Sequence, residues 1–259
     1  MTASTSAGAG PAVTRAEYCV IACAEAWRGD GEVLAAAMGT ISTLGARLAK
    51  LTFEPDLLIT DGEALLAADV PALGAAPAAV EGWLPYRRHL ELVAMGHRHV
   101  MMGASQLDRH GNQNISAIGD WSRPVRQLLG MRGAPGNTVN NPTSYWIPRH
   151  SPRVFVPGQV DVVSGVGYGR LHGSAGRFQD LRRIVTDLAV LDFGGDGHAI
   201  RLLSVHPGVT VDQVVAATGF PLVLPNGGVP STRDPSAEDL RLIREVLDPR
   251  GTRDREVRG

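Results

Sequence analysis

Two stretches of this chain gather side chains able to do chemistry. The first is Thr60-Asp61-Gly62-Glu63, where two carboxylates follow the apolar run Leu57-Leu58-Ile59. A carboxylate at the end of a buried strand, beside glycine, can serve as base, nucleophile or orienting group, because open parallel sheets gather their chemistry at strand ends. The same four residues also fit a solvated turn. The second stretch runs from Met101 to Trp146. Its apolar start, HVMMGA, gives way to Ser105, Gln106, Asp108 and the turn Arg109-His110-Gly111-Asn112. A glycine-punctuated loop, Gly130 to Asn137, follows, with neutral amides and hydroxyls after it. Glycines let backbone approach a ligand closely, and successive N–H groups can cradle an anion. This composition suits a site rim and an irregular surface loop equally well.

A third signal is weaker. Glu32 to Met38 reads as a buried strand, and Gly39-Thr40-Ile41-Ser42-Thr43 turns it into the helix LGARLAKL. Strand, small-residue turn and helix offer free N–H groups to an anion. Ile41 stands where a dinucleotide fingerprint needs its second glycine, so that motif is excluded. His97 and His99 would share one strand face, but no third ligand has metal-like spacing. They read as structural or surface histidines, and no metal site is expected.

These groups need a scaffold to position them. Thr14 with Glu17 three residues on is a capping box opening a helix through YCVIACAEAW. Cys19 and Cys23 lie four apart on it and should share one face as small buried groups. Leu57-Leu58-Ile59 reads as a second buried strand, and the Ala-rich residues 64–82 as helix and then loop. A helix around YRRHLELVAMG leads to a strand in HVMMGA. Short β-type runs follow at 153–156, 160–164, 184–186, 191–193 and 201–205, with a mobile loop expected at 165–176. Helices open at Thr210 and Ser236. The order predicts an α/β fold: an open, largely parallel sheet, helices on both faces, some mixed strands. Residues 1–13 are expected to be a disordered tail and 14–259 a single domain.

Composition excludes several classes. With 44% hydrophobic and 20% charged residues among 259, the chain can build a substantial core. A formal net charge of -1 leaves no electrostatic footprint for nucleic acid or an anionic membrane. No apolar run reaches the 18 or so residues a bilayer needs. Neither a basic n-region nor an apolar h-region begins the chain, so a reducing cytoplasm is the expected location.

Several stretches in order resemble the β subunit of the class I coenzyme A transferase family. They are Gly39-Thr40 followed by Gly45 to Lys50; Gly103 to Asp108 with Gly111 to Asn114; Gly133 to Asn137; Val185 to Phe193; and His206 to Thr210 with Ala217 to Phe220. Leu58 to Ala64, GNQNIS (111–116), Arg132 to Asn137, Thr143 to Trp146 and Arg253 to Glu256 are similar, more narrowly, to β subunits of the actinobacterial cholesterol-ring-opening hydrolases. Family transferases carry a glutamate nucleophile in a Glu-Ser-Gly or Glu-Asn-Gly motif after the second strand. Here Asp61 takes that place, withdrawing the carboxylate by ~1.5 Å, one C–C length. A misplacement of about 1 Å can cost on the order of a hundredfold in rate. The transferase Gly-x-Gly-x-Pro turn is also broken, at Ile41 and Thr43.

The resemblance therefore implies a subunit of an acyl-CoA hydrolase that opens a ring of a steroid-derived cyclic keto acyl-CoA. The partner, an α subunit of the same fold in an α2β2 assembly, supplies the base. Thr40, Ser105, Gln106, Arg126, Arg132, Gly133 and Asn137 are the candidates for substrate and CoA binding, with Asp61 in a supporting role. Coenzyme A enters only as part of the substrate, and no other cofactor is expected. Two alternatives stay open: a genuine CoA transferase acting through Asp61 or Glu63, and a non-catalytic CoA-binding or scaffold subunit.

Overall fold

The structure is a computed structural model that describes residues 12–62 and 64–257. Most of the expected tail, and Glu63, lie outside the described residues. The chain runs α1 (Arg15–Glu25), β1 (Leu34–Ala37), α2 (Thr40–Thr52), β2 (Ile59–Thr60), β3 (Leu65–Ala67), β4 (Val80–Trp83), α3 (Tyr86–Met95) and β5 (Arg98–Met102). Four two-residue strands follow: β6 (Gln106–Leu107), β7 (Gln113–Asn114), β8 (Ala117–Ile118) and β9 (Arg126–Gln127). Then come α4 (Ala134–Asn140), β10 (Pro142–Ile147), β11 (Asp180–Thr186), β12 (Ala189–Asp192), β13 (Arg201–Val205) and α5 (Val211–Ala216). The chain finishes with α6 (Ala237–Arg241), a π-helical turn (Leu242–Leu247) and α7 (Arg253–Glu256).

Six strands form the central sheet in the order β1-β5-β10-β11-β12-β13. The first four are parallel, and β12 and β13 are added antiparallel. The reversal at β11–β12 is local: the Thr186 hydroxyl accepts from the amides of Leu188 and Ala189 at 3.1 and 3.0 Å. Alternation along β5 divides the interior. Met101 joins Ile21, Trp27, Ile41, Leu44 and Trp146 under α1 and α2. Val100 and Met102 join Tyr145, Phe155, Ile184 and Leu191 on the other face.

The fold departs from the sequence expectation between residues 57 and 83. Ile59–Thr60 belongs to a separate antiparallel sheet, β2-β3-β4, and only an isolated bridge from Leu58 to Leu34 touches the main one. The alanines of 64–82 do not make a helix. Leu65 pairs with Trp83 and Leu66 with Gly82, and Pro71 and Pro77 lie in the connection. Residues 153–156 and 160–164 form turns and bends rather than strands, with isolated bridges at Phe155 and at the following Gly165.

Cys19 and Cys23 are free and buried on α1. A Cβ built on Gly45 of α2 would sit 2.6 Å from Cys23 Cβ, so this glycine sets how closely the two helices approach. Gly45→Ala should therefore destabilise by about 1–3 kcal/mol through overpacking, despite alanine's better helix propensity. Urea denaturation checks the sign: a stabilised variant would mean that the helices can separate freely.

The C-terminal segment is tied to both helices. Glu17, fully buried, takes Arg244 at 2.7 Å and Arg253 at 3.0 Å, and Arg253 also meets Asp248 at 3.1 Å. Burial pushes the Glu17 carboxyl up, but the hydrogen bond from Arg244 and the two guanidinium charges outweigh it, and the pKa falls below the ordinary range. Beyond this anchor, Glu256 accepts from the Ile41 amide at 2.8 Å and from the Trp146 indole at 2.9 Å. No helix among the described residues is long and apolar enough to cross a membrane.

Candidate functional site

A cavity of about 840 Å³ opens beyond β5. Met102, Gly103, Ala104 and Ser105 form its floor where that strand ends, and Met38, which follows β1, adds one side. Gln127 to Gly130 and Arg132 to Ala134 form the opposite wall, with Ile115 and Asn137 between. No aspartate or glutamate lines it among the described residues. The rim is apolar and open: Leu129 is 95% exposed.

A smaller cavity of about 420 Å³ lies alongside and shares Met38 and Arg98 with the first. Its wall includes Arg47, His89 and the turn Thr60-Asp61-Gly62. Asp61 Oδ1 accepts from the amides of Ala64 and Leu65, both at 3.0 Å, so this carboxylate closes the β2–β3 turn as well as facing the cavity.

The structure brings Ser105, Arg132, Gly133 and Asn137 together around the large cavity, and sets Asp61 in the adjoining one. Thr40, Gln106 and Arg126 line neither. The first turn of α2, beginning at Thr40, receives the carboxylate of Glu256, so the anion expected at that turn comes from the chain itself. Gln106 spends its amide on Asp161 at 2.9 Å and accepts from Asn114 at 2.7 Å. Arg126 sits on exposed β9. The polar residues between 106 and 118 are largely buried and satisfy one another: Asn112 donates to Asp108 at 2.8 Å, and Ser116 and Ser164 hydroxyls lie 2.8 Å apart. They brace the rim instead of lining it.

Sequence reading passed over Met38, Gln127, Leu128, Leu129 and above all Arg98. Arg98 is 6% exposed, and its Nε donates to Asn137 Oδ1 at 3.1 Å. Asn137 in turn donates to Met102 Sδ at 3.4 Å, fixing its amide between strand and helix. Burial brings the Arg98 guanidinium down to about 10. One signal was available: a cation at the head of an apolar strand, sharing a face with Val100 and Met102.

His99 is structural. Fully buried, it meets Asp30 at 2.6 Å and Ser144 at 2.9 Å and lines neither cavity, while Arg182 pairs with the same aspartate. Among the described residues, no group of three or more His, Cys, Asp or Glu could hold a metal ion.

A scan against protein-family models finds none that matches. Among characterised proteins, the chain is 59% identical over 248 residues to the "Cholesterol ring-cleaving hydrolase IpdB subunit" of Rhodococcus jostii, covering 95% of this chain and 96% of that one. It is 31% identical over 156 residues to one subunit of the 3-oxoadipate CoA-transferase of Pseudomonas knackmussii, covering 56% of each. Among solved structures, Rhodococcus jostii IpdAB superposes with a TM-score of 0.92 at 57% identity, covering 95% of this chain and 99% of that one.

Proposed function

The chain belongs to the family of cholesterol ring-cleaving hydrolase IpdB subunits, and from that membership we propose that it is the β subunit of a heteromeric acyl-CoA hydrolase that opens a ring of a steroid-derived cyclic keto acyl-CoA. One observation carries the reading: a large apolar-rimmed cavity at the end of β5 has polar and cationic groups on its wall and, among the described residues, no carboxylate. Hydrolysis of a carbon–carbon bond needs a base to activate water. This wall supplies none, so the base comes from an α subunit of the same fold docked over the open rim. Exposed Leu129 on the large cavity, exposed Trp121 and Val125 in the β8–β9 hairpin, and Tyr86 and Leu90 on α3, which carries His89 into the smaller cavity, supply the apolar surface for that contact.

Water activated by the partner's carboxylate adds to the ring ketone, and the ring bond breaks to leave an enolate on the thioester side. Ser105, Arg132, Gly133 and Asn137 hold the substrate and offer donors to the developing charge. Asp61, facing the smaller cavity, orients water or a partner group. Coenzyme A enters as part of the substrate.

The test is reconstitution with the α subunit. The isolated chain should show no ring opening of a cyclic keto acyl-CoA, and the complex should turn it over. Borohydride reduction of the complex after incubation with acyl-CoA should leave every carboxylate of this chain unmodified. Reduction at Asp61 or Glu63 would establish covalent CoA transfer instead, and turnover by the chain alone would remove the partner's role.

A further inference from the structure

Arg98 is a buried cation with no ion pair among the described residues. No carboxylate meets it among the described residues; Asn137 holds Nε, and Nη1 and Nη2 have no partner. The two nitrogens are absent from the sealed, partnerless polar atoms of the interior, and the residue lines both cavities. Arg47, equally buried on the smaller cavity, donates to the Pro71 carbonyl at 2.7 Å and also lacks a carboxylate. Burying an uncompensated guanidinium is costly unless an anion arrives to pair with it. With Nε clamped, the free edge is the Nη1/Nη2 pair, which matches the two oxygens of a carboxylate.

We propose that Arg98 is the anion-binding residue of this site and receives the carboxylate that ring opening creates. The inference rests on the hydrolase reading above. Water adds its oxygen to the ring-ketone carbon and gives one proton to the base. The ring carbon–carbon bond then breaks, and its electron pair moves to the carbon that becomes the thioester enolate, which takes up a proton. The former ketone carbon is left as a carboxylic acid that ionises. Negative charge therefore appears on the oxygens of one carbon, first as a tetrahedral oxyanion and then as carboxylate. A guanidinium waiting at that point binds both better than the neutral ketone.

The assembled complex tests this with two probes of equal shape, hexanoate and hexanamide, measured by calorimetric titration. Hexanoate should bind at least tenfold more tightly and inhibit ring opening competitively. Arg98→Gln should erase that preference without lowering the melting temperature, since it removes an unpaired buried charge, and Arg98→Lys should keep part of it. Equal binding of the two probes to the wild type overturns the proposal, whether or not the variants fold. So does a preference that survives Arg98→Gln, which would assign the anion to Arg47 or Arg132. A preference shown by the isolated chain but absent from the complex would give the guanidinium to a partner carboxylate and overturn the product assignment. The hydrolase reading fails separately: a complex that prefers hexanoate but opens no ring keeps the anion site and loses the reaction.

Discussion

Replacing Glu17 with alanine should cost the protein about 3–5 kcal/mol, because it leaves two arginines facing a buried site that has lost its carboxylate. Arg253 is only 7% exposed and Glu17 fully buried, so solvent cannot take over the lost contact there. Asp248 keeps one hold on Arg253, whereas Arg244 loses both of its bonds to the Glu17 carboxylate. The same substitution opens the capping box at Thr14. For a protein of this size each kcal/mol moves the melting temperature by roughly 2–4 °C, so a fall on the order of 10 °C is expected. The effect should also travel. Arg253 begins α7 and Glu256 ends it, so loosening the anchor weakens the carboxylate held against Ile41 and Trp146. Hydrogen exchange at the Ile41 amide should speed up in Glu17→Ala although the two residues share no bond. A loss below about 1 kcal/mol, or unchanged exchange at Ile41, would show that the C-terminal segment holds its place independently.

Acid should destabilise the protein well before its carboxylates titrate. Burial drives His150 down to about 3 and His206 down to about 4. His99 is also lowered by burial, with Asp30 opposing. A histidine whose folded pKa is depressed binds a proton in the unfolded chain but not in the folded one. Stability from this source is complete above about pH 6.5 and is lost as pH falls toward the folded values. Two such groups remove on the order of 3 kcal/mol between pH 6.5 and 5. Asp187, whose carboxyl burial raises and whose Oδ1 accepts the His150 amide at 2.7 Å, works in the opposite sense at the lower end of that window. Urea midpoints at pH 7, 6 and 5 should fall steadily, and His206→Asn should flatten the slope. A midpoint independent of pH over this range would mean that both imidazoles reach water or are charged in the folded state.

What could be read from the sequence follows the distance over which each contact acts. The capping boxes at Thr14–Glu17, Thr210–Gln213 and Ser236–Asp239 form within one turn, and the helices begin where those residues stand. The strands containing 99–102, 184–186 and 201–205 declared themselves by apolar or β-branched runs, whereas the polar start of β11, Asp180 to Arg183, did not. The alanines near residue 65 did not, because alanine suits a helix until a partner such as Trp83 supplies a ladder. At the site, the glycines and amides of 130–137 pointed to the right wall. Nothing near Thr40 reveals that Glu256 closes its turn, and nothing near Arg98 says that no acid will meet it. Both facts depend on groups brought from elsewhere, or withheld, by the tertiary fold.

The bond between Ile41 and Glu256 spans 215 positions. On the ribosome, α2 therefore emerges more than two hundred residues before the group that finishes it, and its first turn waits meanwhile with its amides wetted by solvent. Long-range closure of this kind makes the contact one of the slow ones to form, because the loop entropy must be lost before the bond is gained.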